Sequence, residues 1–222
     1  DLDIFMTFEE YKKFKDVFER RNSDKFMLQE WRTVPKYLEY AKVRMNGTTF
    51  IEKAFKDRTD MHHGIYVDIM ILHKCPNIYW KQKLIYLQSK FVTLYGLSQR
   101  GWKPKGKTQA VVLNLLKFLP KKILANWSYK GIYKYDDMES EFKWCYFITP
   151  AKFKQGIFED YMFQNPIDIN FEGHKFLGSK NIKKYLAYRY GDYMKLPSKQ
   201  QQKAAVHAYI YDTERNYTEY IK

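Results

Sequence analysis

The stretch Gly64-Ile65-Tyr66-Val67-Asp68-Ile69-Met70-Ile71-Leu72 decides how this chain is read. It is β-branched, apolar and nearly continuous, the pattern of a central strand buried on both faces. One carboxylate interrupts it. A charge inside an apolar strand is costly unless it is paired or bound to a metal, so Asp68 is the first candidate functional residue.

Toward the amino terminus, Asp1-Leu2-Asp3-Ile4-Phe5-Met6 alternates as a second strand. Leu2 and Ile4 fall on one face, Asp1 and Asp3 on the other, with the two carboxylates about 7 Å apart along the strand. Asp-x-Asp alone is a weak motif, and a solvated strand edge is its ordinary reading. With Asp68 on a neighbouring strand the set becomes three hard oxygen ligands, which suit one or two Mg²⁺ (or Mn²⁺) ions. That is the composition of a metal-assisted phosphoryl-transfer site. Asp68 is also the candidate to take a proton from an attacking hydroxyl. The sequence opens on Asp inside this strand, so the chain is expected to be a fragment or processed form.

Between the two strands, Thr7 and Glu10 form a capping box for a helix with Tyr11, Phe14 and Phe18 at helical spacing. Short strands are expected over 26–31 and 41–45. Asn46-Gly47 marks a turn, with a return strand over 48–51 and a polar loop over 52–62. Beyond Leu72 the character changes. The net charge of the whole chain is +14, and residues 69–135 hold thirteen Lys or Arg and no Asp or Glu. Helices are expected over 79–97 and 108–119, joined by a basic loop, with a third after Pro120. A strand over 142–148, a hairpin around 170–176, a helix over 182–190 closed by Gly191 and a final helix from Lys199 carrying His207 complete the reading. This predicts an α+β fold. Two cysteines, Cys75 and Cys145, make neither a disulfide framework nor a zinc site by spacing. No apolar run reaches spanning length.

Four segments together resemble the LicD family of phosphocholine and related phosphoryl transferases, to which fukutin-type enzymes are distantly related. Asp1-Leu2-Asp3-Ile4-Phe5-Met6 looks like the end of that family's Trp-Asp-Asp-Asp-hydrophobic-Asp-Ile motif. His63-Gly64-Ile65-Tyr66-Val67-Asp68-Ile69 looks like its Gly-Ile-Phe-Ile-Asp-Ile strand. Tyr185 to Pro197, with Tyr190-Gly191-Asp192-Tyr193-Met194 at its centre, is similar to its carboxy-terminal signature, and Phe171-Glu172-Gly173 resembles the segment before it. The order is the family's, and the matches span nearly the whole chain. The family's upstream Gly-rich turn is not in this sequence, and Met70-Ile71-Leu72-His73 stands where the family has Phe-Pro-Leu-Asp.

The resemblance implies a nucleotidyltransferase-like mixed β-sheet with flanking helices, divided into a catalytic core over 1–74 whose upstream part is missing, a basic helical insertion over 75–135, and the rest of the core over 136–222. It implies Mg²⁺, a CDP-alcohol donor, and transfer of phosphocholine or a related phospho-alcohol to a hydroxyl of a cell-surface glycan or lipid-linked glycan. Asp1 and Asp3 take the metal-ligand positions and Asp68 the third carboxylate. Such a protein is expected in the cytoplasm, peripheral to the membrane.

Other residues are candidates for donor or substrate. His63, beside His62, could touch phosphate or metal, although a solvated loop pair is the plainer reading. Arg189 and Asp192 lie in the carboxy-terminal signature, where they serve substrate or helix packing. A choline headgroup calls for an aromatic cage, with Trp144, Trp127, Tyr146 and Tyr193 as candidates among many core aromatics. The acid-free segment reads as a solvated basic surface, as a patch for anionic lipid with Trp80, Trp102 and Trp127 at the interface, or as a grip on anionic glycan or nucleic acid. A nucleotidyltransferase acting on nucleic acid and a non-catalytic membrane- or glycan-binding protein are the rival functions. Nucleic acid is the less favoured partner, because the charge lies apart from the carboxylates and no RNA-binding module is evident.

Overall fold

The computed structural model describes residues 3–21, 23–31, 33, 40–99, 106–107, 110–111, 121–139, 141–148 and 152–221. The fold is α+β, and its axis is the strand read first. β5 (Tyr66–Pro76) runs four residues past Leu72. It pairs in parallel with β1 (Asp3–Thr7) and antiparallel with β3 (Ala41–Met45) and β6 (Phe142–Cys145). β2 (Phe26–Gln29) extends the sheet beyond β3, and β7 (Ile157–Phe158) extends it beyond β6. The sheet is therefore mixed.

The alternation of β5 explains its two faces. Ile69 and Ile71 point to one side and pack with Ala41 and Tyr11. Tyr11 comes from α1 (Phe8–Arg21), which starts where the capping box places it. The Thr7 backbone N–H donates to Glu10 Oε2 at 2.8 Å, and the Glu10 N–H donates to Thr7 Oγ1 at 3.2 Å. The even-numbered face carries Tyr66, Asp68, Met70 and Leu72. Its Leu72 end enters the largest core cluster, with Val92 and Tyr95 of α2 (Tyr79–Gln99), Ala125 and Ile132 of α3 (Lys121–Ile132), and Tyr185 of α4 (Ile182–Tyr190). The helices of the basic segment thus build the same core as the sheet. The helix expected over 108–119 lies largely outside the described residues.

Two local expectations change. β4 (Thr49–Glu52) follows the Asn46-Gly47 turn, where Gly47 has φ +74°, but it does not return along β3. Met45 N–H instead donates to Ile65 O at 2.7 Å, so β3 pairs with β5. β4 pairs with β10 (Ala208–Asp212). The final helix is correspondingly short. α5 (Lys199–Ala205) begins at Ser198, whose side chain forms a capping box with Gln201, and ends before His207. His207 lies in the link to β10, and its carbonyl accepts the Lys53 N–H at 2.8 Å. β8 (Ile167–Phe171) and β9 (His174–Gly178) form a separate hairpin. Its turn residues Glu172 and Gly173 both have positive φ, as a two-residue type I′ turn requires.

Candidate active site

The register of the sheet sets one polar row. Asp3 is the partner of Asp68, Asp68 of Lys42, and Lys42 of Gln29. Directly paired residues share a face, so two carboxylates, a lysine and an amide line up across β1, β5, β3 and β2. Asp3 is exposed. Asp68 keeps 16% of its side-chain surface and Lys42 only 4%. Lys42 Nζ stands 3.0 Å from Asp68 Oδ1 as an ion pair, and that oxygen has no other partner among the described residues. Burial outweighs the attraction on both sides. It pushes the Asp68 carboxyl above the usual carboxylate range, aided by Asp3 and Glu52 and opposed by Lys42. It pushes the Lys42 ammonium down, opposed by Asp68 and Glu52.

A second row lies beside the first. Arg44, the partner of Tyr66, is buried. Its Nε donates to Gln29 Oε1 at 2.7 Å and its Nη1 to the Gly64 carbonyl at 3.0 Å. The Tyr66 ring takes Lys42 Nζ at 3.3 Å from its centroid and the Arg44 guanidinium at 4.9 Å, both within cation–π range. Burial raises the Tyr66 hydroxyl well above its ordinary range, and the nearby Glu52 carboxylate adds to this. Gly64 is required at the mouth of β5, since a Cβ there would stand 2.2 Å from the Met45 carbonyl.

Lys42, Arg44 and Glu52 were not singled out from sequence. The first two carried a signal. Lys42-Val43-Arg44 inside a five-residue strand puts both cations on one face, and a central strand with two cations on a face needs partners there. Glu52 carried none, because only the packing of separate strands brings it near Tyr66.

The other candidates fall in three places. Asp1 lies outside the described residues. Tyr185 of the carboxy-terminal signature packs edge-on against Phe5 at 5.9 Å and lies close enough to Asp3 for that charge to act on its hydroxyl. Arg189, one turn on, donates to the Gln155 carbonyl at 3.2 Å, and Asp192 is exposed beyond the helix end. Trp144 lies opposite Lys74 in β5, and its Nε1 donates to Asp160 Oδ1 at 2.9 Å. That is about 20 Å along the strand from Asp68. Trp144 abuts a cleft of about 360 Å³ lined by Glu139, Glu141, Lys143, Glu159 and Asp160, whose acidic wall is unsuited to a phosphate-bearing ligand.

His62 and His63 form neither a solvated loop nor a site wall. His62 Nδ1 accepts the Gly64 N–H at 2.9 Å and its Nε2 donates to Asn46 Oδ1 at 2.8 Å. Burial drives its pKa down to about 4. His63 is buried and donates through Nε2 to the Arg58 carbonyl at 2.7 Å. Both rings are neutral braces for the turn into β5. His73 points to the opposite face from Asp68, 3.6 Å from Asp136.

Among the described residues no group of three or more His, Cys, Asp or Glu is placed to hold a metal ion. The donor chemistry at Asp3 and Asp68 nonetheless fits a hard cation, with two carboxylates paired on adjacent strands, Asp3 exposed and Asp68 reaching solvent over 16% of its side chain. No protein-family model, curated protein or solved structure matches the chain.

Proposed function

We infer that the chain is a Mg²⁺-dependent transferase that moves phosphocholine, or a related phospho-alcohol, from a CDP-linked donor to a hydroxyl of a glycan. The resemblance to the LicD family suggests donor and acceptor. The observation that carries the chemistry is the register pairing of Asp3 with Asp68 on adjacent parallel strands, with Asp68 largely buried beside Lys42.

Asp3 and Asp68 would hold the metal, which when bound supplies positive charge to the donor phosphates. The chain's own groups do the rest. Asp68 accepts the proton of the attacking hydroxyl as the new P–O bond forms and CMP departs with the old one. Burial raises the basicity of Asp68, which suits that task. Lys42 holds the Asp68 carboxylate against the sheet and opposes its premature protonation. The Tyr66 ring packs on Lys42 in turn, and Gln29 holds Arg44 beside it.

Incubation with a panel of CDP-alcohols should give CMP release that requires both Mg²⁺ and an acceptor glycan, and Asp68→Asn should lower it by about a thousandfold or more. Calorimetry should show nucleotide binding that depends on Mg²⁺ in the wild type. Binding that ignores Mg²⁺, or equal turnover in Asp68→Asn, would refute the reading.

A further inference from the structure

We propose that the outer side of the α2–α3 pair is a docking surface for an anionic lipid bilayer. Along α2, Trp80, Leu84 and Leu87 are 62%, 40% and 62% exposed; along α3, Ile123 and Trp127 are 73% and 57% exposed. These are large apolar side chains left in water at helical spacing, which a soluble face does not need.

The two stripes belong to one surface. Gly131 of α3 lies so close to Gln88 of α2 that a Cβ would stand 2.2 Å from the amide nitrogen. Val92 of α2 and Ala125 and Ile132 of α3 share one core cluster, with Ile85, Ser89 and Ser128 buried on the same helix faces. Trp80, Leu87, Ile123 and Trp127 therefore stand on the faces of the two helices turned away from that core.

Charge selects the occupant. Lys122 and Lys130 are exposed on α3, Lys81 and Lys83 are half-buried on α2, and Lys134 follows α3. Lys81 lies 5.6 Å from the Trp80 ring centroid. No acidic residue occurs between Asp68 and Asp136 to oppose them. Tryptophan beside lysine and aliphatic side chains is the chemistry of the headgroup boundary, where the ring and the alkyl groups leave water and the ammonium meets lipid phosphate. A polynucleotide would use the lysines and could stack on the tryptophans, but it would leave Leu84, Leu87 and Ile123 against its charged backbone. Among the described residues no helix is long and apolar enough to cross a membrane, so the contact is one of lying on the surface. Trp102 lies outside the described residues.

Flotation of the chain with vesicles of phosphatidylcholine, with and without phosphatidylserine, tests this. The chain should float with the anionic vesicles and far less with the neutral ones, and its tryptophan emission should shift to the blue on binding. Lys83→Glu, Lys122→Glu and Lys130→Glu should each weaken binding by about fivefold or more. The triple variant Trp80→Ser, Leu87→Ser, Trp127→Ser should lose flotation while keeping its circular dichroism and melting temperature, because these side chains are exposed. Absence of flotation on anionic vesicles would overturn the proposal. So would equal flotation of the serine variant, or tighter binding to single-stranded polyuridine that survives the serine substitutions.

Discussion

Two regions break the rule that charge stays out and grease stays in, and they break it in opposite directions. Around β5 the chain buries Lys42, Arg44 and most of Asp68. Along α2 and α3 it exposes Trp80, Leu87, Ile123 and Trp127. In the first region the side chains largely hold one another, through the Gln29–Arg44 hydrogen bond, the Tyr66 ring and the Lys42–Asp68 pair. In the second the apolar side chains face water, with Lys81 beside the Trp80 ring. The first is therefore a structural commitment, whereas the second would gain energy on contact with the partner proposed for it. Substitutions should separate the two, since the buried charges affect stability and the exposed apolar groups do not.

The largest effect is expected at Lys42. Lys42→Met leaves Asp68 without its counter-charge and should lower stability by about 3 to 5 kcal/mol near neutral pH. Asp68 is then a carboxyl whose folded pKa is raised above the unfolded value. Its cost is fully present at high pH and fades as the pH falls and the group protonates in both states. Lys42→Met combined with Asp68→Asn should recover most of the loss. Urea melts at several pH values measure both, and equal stability of Lys42→Met and wild type would break the contrast between the regions.

Next is pH itself. His62 has a folded pKa of about 4 against an ordinary value of 6.5, so the unfolded chain binds the proton first. Stability should be constant above the ordinary value and fall between the two, by about 2 kcal/mol after allowance for solvent screening. His62→Gln should flatten that slope in a pH series of denaturation midpoints. Thr7→Ala removes the hydroxyl of the α1 capping box and should cost about 1 kcal/mol in a thermal melt. Trp127→Ser, smallest of all, should stay within about 0.5 kcal/mol of wild type by the same measurement.

Much of this was legible in the sequence. Continuous β-branched residues identified β5 and singled out Asp68, and the Thr7–Glu10 pair located the start of α1. Gly191 closed α4 where its positive φ now puts the helix end. What escaped depends on contacts between distant parts of the chain. Ala208-Tyr209-Ile210-Tyr211 continued a helical reading because nothing local announces that β4 waits for it. The site was half legible for the same reason. An anomalous charge in an apolar strand is visible, but its partner Lys42 sits in another strand whose register no local pattern declares. Trp144 looked like a ligand aromatic by type, and the length of β5 is what carries it away from Asp68.

The parallel pairing of β1 with β5 has a consequence for the order of assembly. Asp3 and Asp68 become neighbours only after the chain closes a loop containing α1, β2, β3 and β4, and closing a long loop costs entropy before any contact rewards it. The hairpin and the helices need no such closure. The polar row is thus a late product of folding, and β1 is the strand whose release would dismantle it first. A cation held by both carboxylates would act as a latch on that strand, slowing unfolding while leaving the folding rate nearly unchanged.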